Sequence, residues 1–199
     1  MNIGNPNHPK KGDRIKVEPI RNIKDIENIK KLISNNPRDL LLFCLGINNG
    51  LRCGDLLKLK VSQVKHLKQN ETITIVEQKT GKENILMVNR SVHKILKDYL
   101  EKTKPNDDDY LFKSQKGQNQ PLSVGSVNTM VKSWCRSINL KGKYGTHSLR
   151  KSFGYIQRTR FGVGWEILCK RYNHSSPSIT MRYLGIEDRE VNGILMNEI

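Results

Sequence analysis

Residues 145–155, GTHSLRKSFGY, contain a histidine and an arginine three positions apart. We predict that the segment forms a helix capped by Thr146, so that His147 and Arg150 project from the same face. A guanidinium matches two non-bridging oxygens of a phosphate, and a neighbouring imidazole can donate or accept a proton. Taken alone, the pattern favours a basic helix whose arginine pairs with a carboxylate. The rest of the chain must therefore decide between the two interpretations.

The segments around it predict an α+β fold, mainly helical with a small antiparallel hairpin. Apolar spacing and capping residues predict helices over residues 23–33, from Pro37 towards Gly50, over 51–60 and 91–102, from the cap Ser123 to Ile138, over 162–172 and from Pro177 past Tyr183. The alternating ETITIVEQ (71–78) and ENILMV (83–88) predict two strands joined by the turn KTGK. VSQVKHL (61–67) is expected to lead into the first strand.

The charge balance indicates an anionic partner. The 199 residues include 35 Lys and Arg against 19 Asp and Glu, a net charge of +16. Such a surplus favours binding to nucleic acid through its phosphates, although solvated surface lysines give the same total. No stretch reaches the ~20 apolar residues of a membrane span, and the N-terminus has no signal-peptide pattern. The four cysteines form no CxxC pair, so we expect a reduced, cytoplasmic protein.

Two further segments contain residues suited to phosphate chemistry. GLRCGDLLKLK (50–60) places Arg52 before an apolar segment that would hold it firmly, with Asp55 three residues later. Asp55 either orients Arg52 or pairs with another basic neighbour. NHSSPSITMRYLG (173–185) places His174 nine residues before Tyr183. Without further context, His174 would be a turn residue and Tyr183 a half-buried packing residue.

Together these segments resemble the catalytic domain of the tyrosine recombinases, the phage integrase family. The matching stretches are GLRCGDLLKLK, EQKTGK, THSLRKSFG and YNHSSPSITMRYL, in the order of that family, and they span about residues 20–190. Each motif is weakly specific by itself, but the ordered set is a specific signal. The resemblance implies a DNA strand-transferring enzyme, a site-specific recombinase or integrase that needs no metal, cofactor or ATP.

The resemblance also implies a role for each matching residue. Tyr183 would be the nucleophile and form a 3′-phosphotyrosyl bond. Arg52 and Arg150 would bind the phosphate, with His147 and His174 completing the set and His147 assisting proton transfer. The family's mobile strand-turn lysine, which protonates the 5′ oxygen, would be Lys79, with Lys82 as the competing assignment, and Asp55 would support Arg52.

Three other functions remain open at this point. A type IB topoisomerase would use the same chemistry to relax DNA, an inactive DNA-binding module would need no tyrosine, and an RNA-binding domain would be expected to show clustered aromatic residues. The acidic run Asp107-Asp108-Asp109 is interpreted as a solvated turn and not as a metal site. Expected partners are double-stranded DNA, three further copies of the chain in a tetramer on synapsed DNA, and accessory DNA-bending proteins.

The predicted domain organisation has three parts. Residues 1–20 would be a flexible basic arm, residues 21–185 the catalytic domain, and residues 186–199 a helical tail. The tail has an apolar stripe, Val191, Ile194, Leu195 and Ile199, which packs either on its own domain or on a neighbouring subunit. Most family members carry a separate helical domain before the catalytic one. The chain is therefore either a minimal member, as its Met1 suggests, or a fragment.

Overall fold

The part of the chain that the computed structural model describes, residues 16–185, 193 and 195–198, is mainly helical with one two-stranded antiparallel sheet. Its elements are α1 (Ile23–Leu32), α2 (Pro37–Asn49), α3 (Cys53–Leu57), α4 (Val61–Val64), β1 (Thr72–Val76), β2 (Glu83–Met87), α5 (Arg90–Thr103), α6 (Val124–Ser137), α7 (Thr146–Phe161), α8 (Trp165–Tyr172) and α9 (Pro177–Leu184). The predicted α+β class is confirmed. None of the described helices is long and apolar enough to cross a membrane.

Helix α2 lies at the centre of the core and packs on α5 and α7. Residues 41–45 are all buried, as the dense apolar run predicts. The helix begins where the Asn36 side chain accepts a hydrogen bond from the Asp39 amide, and Pro37 occupies its first turn. It ends at Gly50, whose φ of 60° is left-handed, and a Cβ there would lie 2.3 Å from the Phe153 ring. Only glycine fits, and the turn directs the following residues towards α7.

The β-hairpin is attached to the C-terminal end of α2. Thr72 pairs with Met87 and Val76 with Glu83, so alternate residues of β1 face inward. The Asn49 side chain donates to the Met87 carbonyl at 3.2 Å and accepts from the Met87 amide at 2.8 Å. These two bonds fix the hairpin beside the turn at Gly50.

Two local predictions were wrong. The segment VSQVKHL contains the short helix α4 and does not lead directly into a strand. Val61 and Val64 are both buried, which is helical spacing, and the Gln63 side chain accepts from the Lys60 amide at 2.8 Å. Helix α7 is capped by Gly145 and not by Thr146, which is its first residue. A Cβ at position 145 would lie 2.3 Å from the Asn128 side-chain oxygen, so the cap position requires glycine.

The segments predicted to precede and follow the catalytic domain are described only in part. The segment predicted as a flexible arm is described only from residue 16, and its last residues pack on the domain. The Glu18 amide bonds the Lys143 carbonyl at 2.8 Å, and the Ile20 amide bonds the Ser152 hydroxyl at 2.7 Å. Of the apolar tail stripe, only Leu195 is described, and it is exposed. Val191, Ile194 and Ile199 lie outside the described residues.

Candidate active site

The C-terminal end of α2 holds two arginines through its free carbonyl groups. Arg150, buried in α7, donates to the Gly50 carbonyl at 2.5 Å and to the Tyr172 carbonyl at 2.9 Å. Arg171 donates to the Asn49 carbonyl through two nitrogens. The carbonyl end of a helix carries partial negative charge, which favours cations there. Arg150 is therefore fixed in position before any ligand binds.

Arg52 lies two residues beyond Gly50, at the N-cap of α3, where it forms an ion pair with Glu77. The Glu77 side chain is fully buried, and it also accepts hydrogen bonds from Thr80 at 2.7 Å and Asn84 at 2.9 Å. Burial opposes ionisation of this carboxyl. Hydrogen bonds from Thr80, Asn84 and Arg52, together with the charge of Arg52, outweigh that effect and lower the pKa of Glu77 to about 2. Glu77 is therefore anionic at neutral pH.

Asp55 occupies a different place from the one predicted for it. Its carboxylate is buried and accepts a hydrogen bond from the Gln78 amide at 3.0 Å, while its second oxygen has no hydrogen-bond partner among the described residues. The carboxylate that pairs with Arg52 is that of Glu77. Asp55 thus contacts the hairpin turn. The residue that pairs directly with Arg52 is Glu77, and not Asp55 as predicted.

Tyr183, near the end of α9, lies in the same chain as the two arginines and close to them. Its ring is packed between Tyr172, with ring centroids 5.6 Å apart, and His174, at 5.4 Å. Its hydroxyl is buried beside the Arg150 guanidinium, and its proton has no acceptor among the described residues. Burial raises the pKa of Tyr183 to about 12, although the charges of Arg150 and Arg52 and the hydrogen-bonding contact with Arg150 act in the opposite direction. The phenol is therefore neutral at pH 7.

The two predicted histidines lie in the same positive field. Burial, followed by the charges of Arg150 and Arg52, lowers the pKa of His174 to about 4, and its Nδ1 lies 2.9 Å from the Thr180 hydroxyl. Desolvation of the His147 ring, followed by the charges of Arg150, Lys151, Arg52 and Lys79, lowers the pKa of His147 as well. Both rings are neutral at pH 7, so either one can accept a proton.

Lys79 lies at the exposed tip of the hairpin, between Gln78 and Thr80. No hydrogen bond or ion pair of its side chain is found within residues 16–185. Its charge is one of the causes of the lowered His147 pKa. The choice of Lys79 over Lys82 as the turn lysine of the site stays a prediction.

The sequence analysis did not identify Glu77 or Lys151 as members of this cluster. Alternation along β1 places Glu77 on the same inward face as Ile73 and Ile75, which was an available signal for a buried carboxylate. Lys151 is buried, with its Nζ 4.9 Å from the centroid of the Tyr183 ring. Burial, with the nearby charges of Lys16 and Arg21, lowers its pKa to about 8. No local pattern distinguishes Lys151 from a surface lysine.

The remaining candidate groups lie elsewhere. In the acidic run, Asp107 pairs with Lys65 and Asp109 with Lys113, so these two carboxylates bind different partners. In the described part of the chain, no three His, Cys, Asp or Glu side chains are grouped so as to hold a metal ion. All four cysteines are free thiols, and three of them are buried.

A groove of about 940 Å³ extends from His147 along the C-terminal half of α6 and the following loop. Four exposed cations line it: Lys132, Arg136, Lys141 and Lys143. None of the four forms a salt bridge within the described residues. The groove thus begins at the neutral base His147, whose pKa is lowered by the charges of Arg150 and Arg52. Together with the buried Tyr183 phenol, these groups are suited to binding a phosphate and attacking its phosphorus.

Known proteins share both the sequence pattern and the fold. Residues 20–190 match the phage integrase family. The chain is 37% identical over 175 residues to the probable integrase/recombinase YoeC of Bacillus subtilis, an alignment that covers 86% of this chain and 91% of that protein. It is 28% identical to the tyrosine recombinase XerC of Caldanaerobacter subterraneus, over 83% of this chain and 48% of that protein. The chain thus spans about half the length of this second relative.

Solved structures show the same fold at low sequence identity. The crystal structure of XerA recombinase superposes with a TM-score of 0.72 at 20% identity, covering 96% of this chain and 68% of that one. A lambda integrase tetramer bound to a Holliday junction superposes with a TM-score of 0.61 at 16% identity, covering 86% of this chain and 49% of that one.

Fold and sequence together define a recombinase-type catalytic domain. The chain belongs to the phage integrase family, and its relatives include proteins named as tyrosine recombinases. Membership supports the breaking and rejoining of DNA as its class of activity.

Proposed function

We propose that this protein is a site-specific DNA recombinase that cleaves and rejoins strands through a 3′-phosphotyrosyl intermediate. The observation that carries the proposal is the Tyr183 hydroxyl, which is buried beside Arg150 and near Arg52 of the same chain and has no acceptor for its proton among the described residues. A buried hydroxyl that lacks a partner costs free energy, and its retention is explained when a substrate atom completes the contact. In this proposal, that atom is an oxygen of the scissile phosphate.

The cleavage step moves one phosphoryl group and two protons. The Tyr183 oxygen forms a bond to phosphorus as the bond to the 5′ oxygen breaks. The phenol proton passes to the neutral ring of His147, and the departing 5′ oxygen takes a proton from the Lys79 ammonium. The products are a 3′-phosphotyrosyl bond and a 5′ hydroxyl. Because the phosphodiester energy is conserved, another 5′ hydroxyl can reverse the step without ATP.

The two arginines supply the electrostatic part of catalysis. Negative charge gathers on the non-bridging oxygens in the transition state, and donors fixed in advance stabilise that charge without reorganising. Arg150 is held by two backbone carbonyls and Arg52 by Glu77, so both meet this condition. Removal of one such donor typically slows the chemical step by ~10²–10³-fold.

Double-stranded DNA is the proposed substrate, and a tetramer on two synapsed sites is the proposed assembly. The net charge of +16 and the unpaired cations of the groove favour a polyanion that extends beyond the single phosphate under attack. The fold shared with the DNA-bound lambda integrase tetramer supports the assembly.

The deciding experiment traps the covalent intermediate. A nicked duplex that loses its 5′ fragment after cleavage should accumulate a protein–DNA adduct that survives denaturing electrophoresis, in the presence of EDTA. Tyr183→Phe should form no adduct while keeping its affinity for the duplex, because only the nucleophilic oxygen is lost. An adduct that persists in this variant would assign the nucleophile to another residue. Relaxation of supercoiled DNA without exchange between two sites would instead indicate a topoisomerase.

A further inference from the structure

The Glu77 carboxylate contacts both Arg52, which follows α2, and Thr80, which lies in the hairpin turn beside Lys79. One oxygen pairs with Arg52 and also accepts from the Thr80 hydroxyl at 2.7 Å, while the other accepts from Asn84 at 2.9 Å. A fully buried carboxylate is costly unless it is paired and hydrogen-bonded, and here both oxygens have partners. Removing any partner would leave part of the charge uncompensated, so the arrangement is rigid.

The residues on either side of Lys79 are both anchored to the Arg52 segment. Thr80, which follows Lys79, is held by Glu77. Gln78, which precedes it, donates its amide to Asp55 and its side-chain nitrogen to the Gly54 carbonyl, each at 3.0 Å. The backbone of Lys79 is thus fixed on both sides, although its own side chain is exposed.

We infer that Glu77 is a positioning residue that sets Lys79, the acid for the leaving oxygen, at a fixed place relative to Arg52, the phosphate clamp. The inference rests on the function proposed above. The side chain of this strand-turn lysine is exposed, while the residues on either side of it are hydrogen-bonded to the Arg52 segment and to Glu77 before DNA binds. Protonation of the 5′ oxygen then depends on a carboxylate that never touches the substrate.

Thr80→Val is the sharpest test of this role. The substitution keeps the size of an exposed side chain and removes the hydroxyl, which donates to Glu77 at 2.7 Å and accepts from the Lys82 amide at 3.3 Å. Thr74→Val is the matched control, since Thr74 lies on the outward, exposed face of β1. Single-turnover cleavage is measured at saturating protein with two duplexes, one with the natural 5′ oxygen and one with sulfur in that bridging position. A thiolate leaves without a proton because the pKa of a thiol is about 8.5.

Thr80→Val should slow cleavage of the oxygen substrate about 10-fold, because a small displacement of a catalytic group strongly lowers the rate of the chemical step. Cleavage of the sulfur substrate should stay within about 2-fold of the parent, because this substrate bypasses the acid. The Thr74→Val control should match the parent on both. Equal slowing of both substrates by Thr80→Val, or no slowing of either, would overturn the inference.

Glu77→Gln provides a second measurement. It should slow both substrates, because Arg52 loses its counter-ion, and it should slow the oxygen substrate more. An unchanged ratio of the two rates would mean that Glu77 acts on Arg52 alone and would refute the link to Lys79. If this variant does not fold, Thr80→Val decides the question. A parent protein that cleaves neither substrate overturns the proposed function itself, and the inference falls with it.

Discussion

At the scale of single residues, the site is a set of ionisable groups whose environments move their pKa values apart. Desolvation, followed by the positive charges of Arg150 and Arg52, keeps both histidines neutral, while hydrogen bonds and the charge of Arg52 keep Glu77 anionic. Burial keeps the Tyr183 phenol protonated. One region thus contains a proton donor, two proton acceptors and fixed positive charge at neutral pH, without a metal ion taking part in the proposed steps.

The charge of Glu77 makes a prediction about stability. Its pKa is about 2 in the folded protein against an ordinary value of 4.5, so its contribution is present above pH 4.5 and lost as the pH falls towards 2. The shift corresponds to roughly 3 kcal/mol at neutral pH. Glu77→Gln should therefore lower the free energy of unfolding at pH 7, and the difference from the parent should shrink below pH 4.5. Urea denaturation at several pH values measures it, and a difference independent of pH would contradict the assignment.

The histidines make a prediction that can be read directly by NMR. In the DNA-free protein, His174 should titrate near pH 4 and His147 below its ordinary value of 6.5. Lys79→Gln should raise the pKa of His147, because it removes one of the positive charges that disfavour the imidazolium. Assignment uses His147→Gln and His174→Gln, and the ring carbon-bound proton shifts are followed against pH. A His147 pKa that does not respond to Lys79→Gln would place the lysine too far away to act.

The residues of the site differ in how well the sequence predicts them. His147, Arg150, His174 and Tyr183 occur in short segments whose spacing is visible along the chain. Glu77 was missed because its importance depends on burial against Arg52, a residue 25 positions earlier in the sequence. For the same reason, the sequence suggested Asp55 as the support of Arg52. Asp55 lies three residues after Arg52, and a sequence does not show which distant residues become neighbours in the fold.

At the scale of secondary-structure elements, the turn after α2 connects the core to the site. The same few residues end the helix, accept hydrogen bonds from Arg150 and Arg171, and lead into Arg52. Proline and glycine signals predicted both ends of this helix. They did not predict α4, a single helical turn that no proline or glycine marks and whose first amide, that of Val61, bonds the Asp109 carbonyl at 3.0 Å.

Gly50→Ala tests the importance of this turn. The residue has φ of 60°, and a new Cβ would lie 2.3 Å from the Phe153 ring, so strain and overpacking add. We expect a loss of roughly 2–4 kcal/mol in unfolding free energy. Gly162→Ala is the matched control, because Gly162 has φ of 65° but nothing within 4 Å of the added Cβ. The control should lose only about 1 kcal/mol, and equal losses in chemical denaturation would show that the contact with Phe153 is unimportant.

At the scale of the whole molecule, the position of Tyr183 predicts which protomer cuts. Its hydroxyl lies against Arg150 of its own chain, so each protomer should use its own tyrosine. A mixture of Tyr183→Phe and Arg150→Ala proteins should therefore form no adduct with the nicked duplex. If tyrosines were donated between protomers, the tyrosine of the second variant would enter the intact site of the first. Adduct recovered on mixing would then demonstrate cleavage by a partner's tyrosine.

The groove beside His147 predicts which part of the molecular surface binds DNA phosphates other than the scissile one. Its four cations have no carboxylate partner among the described residues, so each is free to neutralise a phosphate. Each phosphate contact that is lost should reduce the slope of log K against log salt by about 0.9. Lys132→Gln with Arg136→Gln should thus lower the slope by about 2, whereas Lys94→Gln with Lys97→Gln, an equal change of charge on exposed residues of α5 that do not line the groove, should change it much less. Anisotropy titrations with a labelled duplex from low to moderate salt measure both slopes. Equal slopes for the two double variants would mean that net charge, and not this groove, attracts the DNA.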